Sequence, residues 1–296
     1  MSFDTASLIR NVRRVEIKTK KLSDQVFGGE YHSAFKGKGM TFSEVRKYEY
    51  GDDVRSIDWN VSARQNEPYI KIYEEEREEI LMLVVDISGS VLFGTQLQTK
   101  LDKAIEVAAA LAFSALQNND KVGLMAFSNS ILKYVPPKKG RSNVLRILSD
   151  LIVLKQEADL YPPRKTNINS VFERLTISLK KKANLFIFSD FLDEGYQKKL
   201  QILAKKHDVN GFRIYDNKEL NIPQLGSVYM NPLESNKPIY LNTLSSSLKQ
   251  QYRAELLQQI NYFETSFKRA NADFVSCELN EDHFSKLHQL FRSKTN

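Results

Sequence analysis

A short, continuously apolar run at residues 80–85 is the feature that most constrains the fold of this chain. It reads ILMLVV, which is too short for a buried helix and typical of a central parallel strand covered on both faces. A similar run at 184–189, NLFIFS, also leads directly into an aspartate; the two aspartates are Asp86 and Asp190. Helical patterns alternate with strand patterns after residue 80. This alternation predicts βαβ units and therefore an α/β fold with a doubly wound, mostly parallel sheet.

The individual elements after residue 80 follow from their periodicity and end signals. Thr99, followed three residues later by Asp102, is a capping-box signature before a helix over 104–116. Ser142 is a candidate N-cap for the next helix. The other predicted helices are 167–179, 197–206, 246–270 and a short C-terminal one. The predicted strands are 80–85, 122–127, 184–189, 209–215, 227–230 and 274–279, with an edge strand at 131–135 before Pro136.

The first 79 residues have a different character from the rest. They show no sustained period, contain turn signals such as Gly51-Asp52-Asp53, and end in an acidic run at 74–79 that is typical of a solvated face. We therefore predict an N-terminal extension at residues 1–79 that packs on a larger α/β domain at residues 80–296.

Composition excludes several classes of protein. A single cysteine, Cys277, excludes an internal disulfide, and the usual zinc spacings are missing. No apolar run approaches the length that spans a bilayer, so we predict no membrane span and a cytoplasmic protein. The net charge of +7 comes from short basic groups at predicted helix ends, without interleaved aromatic residues. This pattern favours solvated helix ends, and we expect no nucleic-acid partner.

Hydroxyl and carboxylate side chains follow the predicted strands. Asp86-Ile87-Ser88-Gly89-Ser90 ends the first strand, Thr166 precedes a helix, and Asp190 ends the 184–189 strand. Because loops at the carboxyl ends of parallel strands open on one edge of the sheet, we expect these residues to meet there. Two carboxylates and three hydroxyls form a hard oxygen set that suits Mg²⁺ or Mn²⁺. The simpler alternative is that Asp86 and Ser88 are only turn and helix-cap residues.

This pattern resembles the metal-ion-dependent adhesion site of von Willebrand factor A domains, whose specific part is a DxSxS triplet at a strand end. The resemblance implies that Ser88, Ser90 and Thr166 contact the metal directly. It implies supporting roles for Asp86 and Asp190, and a partner's acidic side chain that completes the coordination. Thr176 is an alternative to Thr166, since loop lengths vary.

The segment before residue 80 extends the resemblance. The stretch GKGMTFSEVRKYEYGDDVRSIDWNVSARQNEPYIKIYEEE is similar to the signature of the bacterial domain of unknown function 58 family, in which such a segment precedes an A-type domain. The matching residues are Arg46, Tyr48, Gly51, Asp52, Asp53, Arg55, Asp58, Trp59, Ala63 and Arg64. The resemblance implies a partnership with a MoxR-type AAA+ ATPase in the assembly or remodelling of other proteins.

The charges of this signature have two interpretations. Arginines 46, 55 and 64 lie beside aspartates 52, 53 and 58, which invites ion pairs. One interpretation is a structural knot that ties the extension to the A-type domain, with Trp59 as its apolar anchor. The other is a partner-binding surface.

Enzymatic alternatives fit the sequence less well than a non-enzymatic interaction module. A haloacid-dehalogenase-like phosphatase needs a second aspartate two residues after the first, where this chain has Ser88. A serine hydrolase elbow, GxSxG, and an ATPase loop, GxxxxGK[ST], are both missing from the sequence. The remaining alternative is a docking module that uses no metal.

Overall fold

The computed structural model describes residues 41–74, 79–95, 98–160, 165–220, 225–230 and 239–295, together with Arg13, Val15 and Glu16. The chain forms two compact units. The smaller spans Phe35–Glu79, and the larger contains Ile80–Asn296 together with the first 34 residues.

The larger unit is built on a six-stranded sheet. Its strands are β3 (Ile80–Asp86), β4 (Lys121–Phe127), β5 (Ile131–Lys138), β6 (Asn184–Ser189), β7 (Asp208–Tyr215) and β10 (Asp273–Glu278). Their order is β10-β7-β6-β3-β4-β5, and every neighbouring pair is parallel except β4 with β5. The prediction of a doubly wound, mostly parallel α/β sheet is confirmed. A separate antiparallel pair is formed by β8 (Ser227–Met230) and β9 (Ile239–Asn242).

Helices connect and accompany these strands. They are α2 (Lys100–Gln117), α3 (Arg141–Leu160), α4 (Ile168–Ser178), α5 (Gln197–Ala204), α6 (Ser246–Ala270) and α7 (His283–Thr295). The predicted capping box at Thr99 and Asp102 begins α2, which is buried over most of its length, as an apolar helix between strands should be. None of the described helices is long and apolar enough to cross a membrane.

Three details of the larger unit differ from the sequence predictions. Strand β5 continues through Pro136 and Pro137 to Lys138, which is tolerated because β5 is an edge strand that needs few backbone donors. Ser142 lies inside the first turn of α3 rather than capping it, and the carbonyl of Gly140 accepts the first amides. Strand β9, a four-residue run that reads IYLN, was not predicted.

The smaller unit contains an antiparallel pair, β1 (Thr41–Lys47) and β2 (Tyr69–Glu74), and a short helix, α1 (Trp59–Gln65). One predicted ion pair forms: both guanidinium nitrogens of Arg46 donate to Asp52, each at 2.8 Å. Asp58 instead caps α1 and pairs with Lys71 at 3.3 Å. Trp59 is 69% exposed, which argues against the interpretation in which it is the apolar anchor. Most of the acidic run at 74–79 lies outside the described residues.

Candidate metal centre

The candidate site lies where the strand order of the central sheet reverses. The chain leaves β3 toward β4 and β5 on one side, and later returns to β6 and β7 on the other. The carboxyl ends of β3 and β6 therefore flank the topological switch point, which is the usual place for ligands in such sheets. Asp86 is the last residue of β3, and Asp190 directly follows β6.

Asp86 is a buried carboxylate held by hydrogen bonds from Ser88 and Ser189. Its Oδ1 accepts from the backbone N–H of Ser88 at 2.9 Å, and its Oδ2 accepts from the hydroxyl of Ser189 at 2.6 Å. Burial raises the pKa of Asp86 to about 7, the charge of Asp190 adds to the effect, and the bonds from Ser189 and Ser88 oppose it. Burial and the charge of Asp190 therefore outweigh the hydrogen bonds that Asp86 accepts.

The two serines of the triplet present their hydroxyls side by side. The Oγ atoms of Ser88 and Ser90 are 3.2 Å apart. Ser88 is fully buried, whereas Ser90 is partly exposed at the start of a 3₁₀ turn, Ser90–Leu92. A hydrogen bond also joins the side chain of Ser90 to Asp190. The triplet thus links the carboxylate of β3 to the carboxylate that follows β6.

Asp190 is also buried, but it has a cationic partner. The ammonium of Lys100, the first residue of α2, donates to Asp190 Oδ2 at 2.8 Å and to Glu219 Oε1 at 2.5 Å. Burial alone would raise the pKa of Asp190, but the charge and hydrogen bond of Lys100 outweigh it, so the pKa is lowered. Asp190 is therefore ionised in this fold.

Thr166 is placed at the same edge by its loop. The next residue, Asn167, caps α4 and donates its backbone N–H to the carbonyl of Ser128, directly after β4, at 2.9 Å. Thr166 itself is half-buried. The alternative, Thr176, lies inside α4, and its hydroxyl donates to the carbonyl of Phe172 at 2.8 Å. The loop position of Thr166 makes it the better candidate.

These two threonines allow a matched test of the ligand set. If the hydroxyls of this site hold a divalent cation, Thr166→Val, which removes a hydroxyl at nearly constant volume, should weaken Mn²⁺ binding at least tenfold in calorimetric titration. Thr176→Val should bind Mn²⁺ as the wild type does, because its hydroxyl satisfies only a helix carbonyl. Equal affinities for both variants would remove Thr166 from the set.

The chemistry of the donors fits a small divalent cation. Hydroxyl and carboxylate oxygens converge here, and Mg²⁺ needs few direct protein ligands because it retains waters. Among the described residues, no group of three or more His, Cys, Asp or Glu side chains could hold a metal. Hydroxyls would therefore have to complete the ligand set beside Asp86 and Asp190.

Three residues of the site escaped sequence analysis: Ser189, Lys100 and Glu219. Ser189 carried no signal beyond its position before Asp190. Lys100 did carry a signal. A cation in the first turn of a helix interacts unfavourably with the helix dipole and therefore needs a compensating partner. Glu219 could not be found, since it is 119 residues away from the lysine that it contacts.

Solved structures resemble the chain at low sequence identity. The conserved hypothetical protein BatB from Bacteroides thetaiotaomicron is 16% identical, with a TM-score of 0.42, and the match covers 73% of this chain and 98% of that one. The VWA domain of SpRpn10 is 14% identical, with a TM-score of 0.37, covering 72% and 94%. At these scores the description of the fold rests on the strand order given above.

Sequence comparison finds relatives that are 26–28% identical to the chain. The uncharacterized protein Rv1480 of Mycobacterium tuberculosis is 28% identical over 233 residues, which is 78% of this chain and 73% of the relative. The uncharacterized protein YeaD of Bacillus subtilis is 26% identical over 116 residues, covering 39% and 27%. The family described as "Protein of unknown function DUF58" matches residues 44–261. Because this match covers most of the chain, including the turn at β3 and Asp86, the chain belongs to the DUF58 family.

Proposed function

We propose that this protein is a non-enzymatic, divalent-metal-dependent protein–protein interaction module. The observation that carries the proposal is the pair of adjoining hydroxyls, Ser88 and Ser90, set between two buried carboxylates at the switch point of the sheet. A turn that only needed capping would not require a second buried carboxylate from another strand. The pairing of donors across β3 and β6 therefore favours a binding site over a local turn.

The residues would divide the work as follows. Ser88, Ser90 and Thr166 would contact Mg²⁺ or Mn²⁺ directly. Asp86 and Asp190 would support these ligands. Neutral hydroxyl ligands leave much of the ion's positive charge uncompensated, so the bound metal attracts an anionic ligand. The acidic side chain of a protein partner is the ligand that fits this site. Ser189 orients the carboxylate of Asp86 through its 2.6 Å hydrogen bond.

The proposal predicts metal-dependent thermal stability. A metal at a hundred times its Kd stabilises the folded state by about 2.7 kcal/mol. For a domain of this size that is a rise in Tm of roughly 5–10 °C. We expect this rise in the wild type when EDTA is replaced by millimolar Mg²⁺ or Mn²⁺. Asp86→Asn, which keeps an acceptor for the Ser88 amide, should lose most of it.

A buried serine away from the site supplies the control. Ser266 lies fully buried in α6, and Ser266→Ala should keep the full metal response, whereas Ser88→Ala should lose it. A wild-type protein whose Tm and calorimetric titration show no metal effect would refute metal dependence. The metal-independent docking module would then be the better description, and Asp86→Asn would leave partner binding unchanged.

We further propose that the partner is a MoxR-type AAA+ ATPase, for which this protein acts as an adaptor. The support for this partner is the family resemblance of the segment that precedes Ile80. Because an ATPase itself needs Mg²⁺, removing the metal cannot separate the two proteins' requirements. Binding of the purified ATPase to the wild type and to Asp86→Asn should therefore be compared in the same Mg²⁺ buffer. Equal affinities would exclude this site from the interface.

A further inference from the structure

Lys100 is an internal cation beside the candidate metal centre. Its side chain is fully buried at the start of α2, and its ammonium bridges Asp190 to Glu219. Glu219 belongs to a 3₁₀ turn, Asn217–Leu220, that follows β7. The lysine thus joins three separate parts of the chain at the edge of the sheet where Asp86 and the serines lie.

The same turn is also tied to the loop that follows the serine triplet. Asp216 accepts hydrogen bonds from the backbone N–H and the hydroxyl of Thr95, at 3.0 and 2.6 Å. The backbone N–H of Asp216 in turn donates to Glu219 at 3.2 Å. These bonds fix Glu219, and through it the position of the Lys100 ammonium.

The carboxylate of Asp190 already accepts hydrogen bonds from Lys100, Leu192 and Ser90. Its Oδ2 accepts from Lys100, its Oδ1 accepts from the backbone N–H of Leu192 at 3.3 Å, and Ser90 supplies a further hydrogen bond. A divalent cation supported by this carboxylate must share it with an ammonium group. In a buried environment, two cations on one carboxylate repel each other strongly.

We propose that Lys100 sets the metal affinity of this site. Its ammonium balances the negative charge of Asp190 when no metal is bound, and the same positive charge opposes metal binding. This inference rests on the proposed metal-dependent function and names the residue that regulates it. Glu219 has the opposite effect on the metal affinity, because its carboxylate offsets part of the positive charge of the Lys100 ammonium. Lys100 therefore lowers the metal affinity of the site and Glu219 raises it, and neither residue needs to contact the metal.

A second buried lysine on the same helix provides a matched control. Lys103 lies three residues after Lys100 in α2, and its ammonium donates to the carbonyls of Leu279 and Glu281 at 3.1 and 2.9 Å. Calorimetric titration of the full chain with Mn²⁺ should give at least tenfold tighter binding for Lys100→Met than for the wild type. Lys103→Met should stay within twofold of the wild type.

A variant with the opposite expected effect guards against a folding failure. Glu219 is partly exposed, so Glu219→Gln should fold, and we expect it to bind Mn²⁺ at least threefold more weakly than the wild type. In the Lys100→Met background the same substitution should have a smaller effect. Circular dichroism of each variant checks the fold before titration.

The outcomes separate this inference from the proposed function. If the wild type and Lys100→Met bind Mn²⁺ equally, the role of Lys100 is refuted and the metal site stands. Binding by neither protein refutes both. Binding by Lys100→Met alone supports the role of Lys100 but refutes metal dependence of the native protein, in which the lysine would then take the place of the metal.

Discussion

Asp190→Ala should destabilise the fold by about 3–5 kcal/mol when unfolding is measured by denaturant in EDTA. The substitution leaves the fully buried ammonium of Lys100 with Glu219 as its remaining carboxylate partner. Breaking a buried ion pair from one side costs this much because it leaves a charge in a poorly solvated place. The effect should be seen without metal, since the pair is formed by protein side chains alone.

Two comparisons identify the buried charge as the cause. Lys100→Met/Asp190→Asn removes both charges and should recover most of the lost stability. Asp208→Ala breaks an exposed pair with Lys182, 3.0 Å long, and should cost less than about 1 kcal/mol. If the double variant is no more stable than Asp190→Ala, loss of the Asp190 carboxylate itself, rather than the buried charge of Lys100, is responsible.

Phe263→Ala should cost about 3–5 kcal/mol of unfolding free energy, the usual range for a fully buried phenylalanine. Its ring, on α6, lies 4.4 Å from that of Phe191 and 4.8 Å from that of Phe267, measured between centroids. Phe191 directly follows Asp190 and has a φ of 57°, a conformation uncommon for a bulky residue. The aromatic contacts offset this backbone strain, so the loss should be larger than for an isolated core ring.

Leu257 supplies the control on the same helix. It lies six residues before Phe263 and is 49% exposed, so Leu257→Ala should change stability by less than about 0.5 kcal/mol. Denaturant unfolding of both variants and of the wild type measures the difference. Similar losses for the two substitutions would mean that helix propensity, rather than packing around Phe191, dominates at α6.

The main elements of the fold were predictable because their signals are local. The buried run before Asp86, the capping box at Thr99 and the stripe along 246–270 each carry their own periodicity or end signal. The misses depended on context. Strand β5 could pass through Pro136 only because it lies at the edge of the sheet, and that is a fact of tertiary structure.

The site was predictable only in part, for the same reason. Strand ends placed Asp86 and Asp190 at one edge, since parallel strands bring their carboxyl ends together. The identity of the neighbours was not encoded nearby. Lys100 meets Asp190 across 90 residues, and sequence spacing says nothing about such a pair. Trp59, taken for an anchor, is exposed, which shows that a large apolar residue alone does not predict burial.

The two adjacent prolines in β5 have a consequence for self-association. An edge strand normally offers unpaired backbone N–H groups to which another chain can add a strand. Pro136 and Pro137 have no N–H to offer, and they lie in the outermost strand on that side of the described sheet. Sheet growth from one molecule to the next is therefore interrupted at this edge, which lowers the tendency of the protein to aggregate through it.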